Sequence, residues 1–366
     1  MEKLLSFMKI VDDPRDDKKI CYPLLNILFM SIVAVLCGAV TWQDVEDFAT
    51  CRAEWFKRHI DLSAGIPSRY TFRRLFTLIN PKSLEKAFQK WSELLAGVLL
   101  EGRQIAIDGK QLKGSKRPSK GLKALQCVSA WCHDHELILG QVMAEEKSNE
   151  ITAIPELIDL LTLKKCVVTI DAAGCQKTIV EKVVDKKADY LLAVKKNQPK
   201  LHEKVVSSIA PMIQAGPANA HDEFDESHGR TVRRRVFVAK ADACIKTLGW
   251  LKASTVVAVE SISDQSGKIK SEWRYYLSSI KNLEAPFAQY VRNHWGIENK
   301  VHWILDVHMK DDQHQAAEKN SVRCLSVLKK VALNMVRKKD TTPKKSVRRK
   351  LKLAGWDERY LESLLF

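Results

Sequence analysis

Two short apolar runs, Ile105-Ala106-Ile107 and Val167-Val168-Thr169-Ile170, are each closed by an aspartate, Asp108 and Asp171. A run of that length bounded by turn formers reads as a strand buried on both faces. A carboxylate at its last position lies at the sheet's edge, partly open to solvent. A third acid, Glu298, stands inside His294-Trp295-Gly296-Ile297-Glu298-Asn299, in a stretch with helical spacing of its apolar residues. Two strand ends and a helix can share one metal site, and an α/β fold is the architecture that brings them together.

The order of elements supports that class. Residues 44–59, 68–78 and 81–99 carry apolar side chains at three and four spacing and predict a helical domain over 1–100. The apolar stretch 22–39 approaches the roughly twenty residues of a membrane span, but Pro23, Asn26 and Ser31 interrupt it. It reads as a core helix, and no membrane association is expected. From residue 103 the pattern changes to strands at 104–108, 124–131 and 137–143, then a helix at 153–161. The strand ending at Asp171, a helix at 175–184, a strand at 190–194 and a helix after Pro199 follow. Three antiparallel strands followed by alternating helices and parallel strands describe a mixed sheet covered by helices. Strand-like runs at 231–239, 254–261 and 273–279 predict a β-rich insertion over 210–279. Helical stretches at 284–307 and 320–337 then complete a core of 101–209 and 280–339, leaving 340–366 as a basic C-terminal tail.

Charge narrows the partners. Sixty Lys and Arg against 44 Asp and Glu leave a net charge of +16, which favours a polyanion, nucleic acid before a membrane surface. Nine cysteines without paired spacing point to reduced thiols and a cytoplasmic setting. Cys127, Cys132, His133 and His135 imitate a zinc site, but they flank a polar turn between two strand-like segments. A hairpin explains them better than a metal does.

Several longer motifs together carry a specific resemblance: AIDGKQLKGS, EEKSNEITAIPELID, TIDAAGCQKTIV, DYLLAVKKNQPKL, SHGR and RNHWGIENKVHWILDV. Across nearly its whole length the chain resembles the H-repeat-associated group of insertion-sequence transposases of the DDE type. That resemblance implies a ribonuclease H-like catalytic core and a catalytic, metal-binding triad of Asp108, Asp171 and Glu298. It also implies Mg²⁺ as cofactor, with Mn²⁺ able to substitute, and double-stranded DNA as substrate at the element's ends and at its target. A homo-oligomer in the DNA complex is expected on the same ground, with the helical domain of 1–100 serving DNA-end binding or assembly. Carboxylate oxygens suit hard Mg²⁺, and two such ions can activate the attacking oxygen and stabilise the leaving one in an in-line displacement.

The chain departs from the wider family around the last acid. Related transposases have Arg four residues before the Glu and Lys seven after, where this chain has His294 and Leu305; Tyr290 and Arg292 lie nearby out of that spacing. His294 and His302 each share a helix face with Glu298 and could contact phosphate or orient the carboxylate. Arg292 and Trp295 join them as candidate DNA contacts, Trp295 and Trp303 as stacking surfaces for an unpaired base or as packing groups. Lys110 and Lys113 after Asp108, and Lys195, Asn197 and Gln198 after a strand end, are placed to meet a phosphate. Asp306, Asp311 and Asp312 are substitute choices for the third acid. Readings that remain open are a Mg²⁺-dependent nuclease without strand transfer and a non-catalytic DNA-binding derivative.

Overall fold

The computed structural model describes residues 2–97, 100–117, 119, 121, 123–144, 150–216, 220–227, 230–265, 268–313, 316, 318–339 and 345–366. Parts of the motifs EEKSNEITAIPELID and SHGR, at 145–149 and 228–229, and residues 340–344 of the basic tail lie outside them. In chain order, helices α1 Glu2–Met8, α2 Leu24–Leu36, α3 Trp42–Cys51, α4 Ala53–Lys57, α5 Arg69–Leu78 and α6 Pro81–Ala96 come first. Then follow β1 Gln104–Leu112, β2 Leu125–Cys132, β3 Leu137–Met143, α7 Glu150–Leu160, β4 Val167–Ile170, α8 Lys177–Asp185, β5 Asp189–Val194 and α9 Pro199–Gln214. After these come β6 His221–Ser227, β7 Arg230–Lys240, α10 Ala243–Lys246, β8 Thr255–Gln265 and β9 Lys268–Ser278. Helices α11 Phe287–His294, α12 Trp303–Val307, α13 Lys319–Lys339, α14 Val347–Trp356 and α15 Glu358–Leu365 are last.

The described strands are hydrogen-bonded in the order β3-β2-β1-β4-β5-β9-β8-β7-β6. β2 and β3 pair antiparallel, whereas β1, β4 and β5 run parallel. Parallel strands β1, β4 and β5 in one sheet with the antiparallel β2–β3 hairpin form the mixed sheet that the order of elements predicts, and the fold is the ribonuclease H-like one that the resemblance implies. Two details differ. β1 runs on to Leu112, so Asp108 is the first residue past the stretch paired with β4, not the strand's last. The β-rich segment continues the sheet: β9 pairs antiparallel with β5, and β8, β7 and β6 add outward from it. The junction is sealed by side chains, with Ser278 Oγ donating to Tyr190 O at 2.6 Å and Tyr190 N donating to Ser279 Oγ at 2.9 Å. An exposed β5 edge would leave these backbone groups to water or to a foreign strand.

The chain forms two compact units, one of 1–98, 109–149 and 298–366, the other of 99–108 and 150–297. In the first, α2 is buried from Ile27 to Leu36, which is how a helix apolar on all sides behaves in a protein core. Its Ser31 Oγ bonds back to Ile27 O at 2.8 Å. Among the described residues no helix is long and apolar enough to cross a membrane.

The same unit includes the C-terminal residues, which the sequence presents as a basic tail ending in a short amphipathic terminus and which form the two helices α14 and α15. Both helices are capped, by Ser346 and Asp357. They dock through Arg52 and Arg58 on Glu358, Trp55 Nε1 on Glu362 and the Phe366 ring against His59. Their leucines, Leu351, Leu361, Leu364 and Leu365, are buried; each such burial contributes roughly 1.5–3 kcal/mol, enough to hold a segment whose other faces are cationic.

Candidate active site

Parallel pairing of β1 with β4 aligns Ile107 with Ile170, so the next residue on each strand is an acid. Asp108 and Asp171 are therefore neighbours at the same end of adjacent strands, both half-buried. The segment after Asp171 is shaped by its carboxylate: Oδ1 accepts from Ala173 N at 3.1 Å and Gly174 N at 3.2 Å. Gly174 has no room for a side chain, since a Cβ there would lie 2.3 Å from Ile170 Cγ2. The turn is braced from the far side, where Asn197 Nδ2 donates to Ala172 O at 2.7 Å and Gln198 Nε2 to Cys175 O at 2.9 Å.

A polar relay lies behind Asp171. Gln104 Nε2 donates to Thr169 Oγ1 at 3.2 Å and to Tyr290 O at 2.7 Å, and Thr169 Oγ1 lies 3.0 Å from His294 Nδ1. The Thr169 oxygen accepts from Gln104 and shares one proton with His294 Nδ1, the imidazole tautomer setting which of the two donates. Desolvation pulls the His294 pKa down to about 4, against the opposing pull of the Asp171 charge and of a bond to the Thr169 backbone. His294 is thus a neutral anchor of α11 on β4.

Four residues beyond His294, Glu298 lies in a single π-helical turn, Ile297–His302, between α11 and α12. Such turns insert an extra residue into a helix and recur at functional sites. Glu298 itself is exposed.

The other candidates separate. Lys110 is largely buried among carboxylates, its Nζ 2.6 Å from Asp306, 3.2 Å from Asp311 and 3.5 Å from Asp312. Burial would lower its pKa, but the three acids outweigh it and hold the ammonium protonated. Asp311 also meets Lys329 at 3.1 Å. The substitute acids are therefore engaged in an ion-pair network. Lys113 stays exposed, with its backbone N on Asp312 at 2.9 Å. Lys195 and Arg292 are exposed, and His302 is half-buried within the π-turn. Trp295 carries the Arg274 guanidinium 4.3 Å over its ring, and Trp303 meets His308 edge-on at 4.9 Å.

Cys127 and Cys132 are buried in the β2–β3 hairpin, and Lys330 Nζ lies 3.2 Å from Cys127 Sγ. Among the described residues, no group of three or more His, Cys, Asp or Glu stands close enough to hold a metal ion. The pair formed by Asp108 and Asp171 nevertheless has the hard oxygen donors that Mg²⁺ takes, at a half-buried strand end. Sequence pattern does not mark Gln104 and Gly174 as site residues. Thr169 alone carried a signal, as the one polar residue inside an apolar run.

Residues 100–335 match the family model described as "Transposase DDE domain", and residues 5–92 match the one described as "DDE_Tnp_1-associated". "Putative transposase YncI" of Escherichia coli O157:H7 is 38% identical over 373 residues, covering 100% of this chain and 95% of that protein. "H repeat-associated putative transposase YhhI" of Escherichia coli K12 is 35% identical over 374 residues, 100% and 98% of the two chains. "Inactive transposase YbfQ" of the same strain is 35% identical over 75 residues, 20% of this chain and 89% of its own.

Proposed function

Because the chain belongs to the DDE transposase family, we propose that it cuts DNA at the ends of its own mobile element and joins them to target DNA. The observation that carries this reading is the register that puts Asp108 and Asp171 side by side at the ends of β1's paired stretch and β4. Asp108, Asp171 and Glu298 are the carboxylates we assign to holding Mg²⁺, with Mn²⁺ as a substitute. When bound, the ions supply activation of the attacking oxygen and charge neutralisation at the leaving one.

In the first step, water oxygen bonds to phosphorus and the bond to the 3′ oxygen breaks, leaving a 3′-hydroxyl and a 5′-phosphate. In the second, that 3′-hydroxyl loses its proton and bonds to a target phosphorus, and the target strand's own 3′ oxygen leaves. Asp171 is held in place by the amides of Ala173 and Gly174, and β4 is held to α11 by the Thr169–His294 bond. Preorganised carboxylates of this kind spare the reaction a reorganisation cost. Assembly as a homo-oligomer on paired DNA ends, in the cytoplasm, belongs to the same reading.

The test is incubation of labelled DNA carrying the flanking ends of the gene with Mg²⁺ or Mn²⁺, wild type beside Asp171→Ala. Joined products that vanish in the variant are expected. Cuts without joining would replace the transposase with a nuclease, and binding with neither product would make the chain a non-catalytic derivative.

A further inference from the structure

The helix α5 buries Phe72, Leu75 and Phe76 on one side and presents Arg69, Tyr70, Arg73 and Arg74 on the other. At 3.6 residues per turn these four, with the half-buried Thr77, occupy one continuous arc, and no acidic residue of α5 interrupts it. Tyr70 is 64% exposed, a large aromatic left in water. The helix is rigidly seated. Trp42 of α3 stacks on Phe76 at 4.4 Å, and the α3 carboxylate Glu46 accepts from Arg69 N at 3.0 Å. Glu46 and Asp47 thus face the Arg69 end of the arc. Arg73 and Arg74 lie beyond them and make no ion pair among the described residues. A cavity of about 290 Å³ opens beside the first turn, lined by Gln43, Arg69, Tyr70 and Arg73 among others.

Resting on the transposase reading above, we propose that α5 is the element that reads DNA, lying in the major groove of a duplex with Arg73, Arg74 and Tyr70 toward the base edges and Arg69 toward the backbone. Charge complementarity selects the partner: a cationic, aromatic-bearing helix face fits a polyanion whose groove admits a helix. Residue type selects the helix. On α6, Lys86 and Lys90 are exposed too, but lysines are flexible point charges, whereas guanidinium forks pair with two acceptors of a guanine at once.

The experiment measures fluorescence anisotropy of a labelled duplex carrying the gene's flanking end DNA, and of a scrambled duplex, with full-length protein in EDTA so that catalysis plays no part. Wild type is compared with Arg73→Gln/Arg74→Gln and with the charge-matched Lys86→Gln/Lys90→Gln. The arginine variant should lose roughly tenfold or more in affinity for the end duplex and most of its preference over the scrambled one. The lysine variant should keep that preference. Circular dichroism melts of both should match wild type, as all four side chains are exposed. Unchanged binding by the arginine variant, or an equal loss in the lysine variant, overturns the assignment of α5 while leaving the transposase reading intact. A wild type that binds neither duplex overturns both.

Discussion

Thr169 and His294 meet at 3.0 Å, oxygen to Nδ1, and through them the strand that delivers Asp171 is tied to the helix that leads to Glu298. Thr169→Val keeps the shape and deletes the hydroxyl, so Nδ1 loses its partner while Gln104 Nε2 keeps the Tyr290 carbonyl. A buried polar group left without its partner costs about 1–3 kcal/mol. Urea denaturation of Thr169→Val should show a loss of that size, and an unchanged midpoint would mean that the contact contributes nothing.

The same histidine makes stability depend on pH. Its folded pKa is about 4 against an ordinary 6.5, so between those values the unfolded chain binds the proton and the folded chain does not. Stability from this group is complete above pH 6.5, falls as pH drops through the window, and levels off near 4. The shift corresponds to a total of about 3 kcal/mol, to order of magnitude. Denaturation in EDTA at a series of pH values should show the decline in wild type and a flatter profile in His294→Asn. Parallel profiles would assign the decline to other groups.

Local pattern made the paired acids legible: an apolar run ending in Asp is visible without any knowledge of its neighbours, and parallel pairing follows from the intervening helix. Burial of charge was not legible in the same way. Lys110 reads as a loop cation beside an acid, and only the return of Asp306, Asp311 and Asp312 from nearly two hundred residues later turns it inward. Asn197 and Gln198 likewise read as DNA contacts, yet they hold the turn after Asp171 through long-range bonds that no periodicity encodes. Docking of the C-terminal segment is hidden for a compositional reason, because its cations outnumber the few leucines that dock it.

Gly174 sets the geometry of that turn by close approach rather than by an unusual backbone angle. Gly174→Ala would press a methyl to 2.3 Å from Ile170 Cγ2 and 3.1 Å from Ile154 Cδ1, so the turn or β4 must move. Overpacking of this kind costs about 1–3 kcal/mol. Displacement of the Gly174 amide also loosens its bond to Asp171 Oδ1. The expected result is a moderate loss of stability with a disproportionate loss of DNA cleavage. A variant destabilised in a melt but cleaving at the wild-type rate would show that the turn does not position Asp171.

Lys329 is fully buried, and its Nζ meets Asp311 Oδ1 at 3.1 Å while Lys110 takes Oδ2 at 3.2 Å. Burial alone would raise the Asp311 carboxyl, but Lys329 and Lys110 outweigh it and hold it well below the usual range. Asp311→Leu removes the counter-charge and leaves Lys329 with the Lys310 carbonyl at 3.4 Å. Stranding a buried charge in this way costs about 3–5 kcal/mol, whereas replacing both members by apolar groups is often nearly neutral. Asp311→Leu should therefore melt far below wild type, and Asp311→Leu/Lys329→Met should recover most of the loss, with Lys110 still held by Asp306. If the double variant is no more stable than the single one, the pair contributes through packing or through Lys110 rather than through its own buried charge.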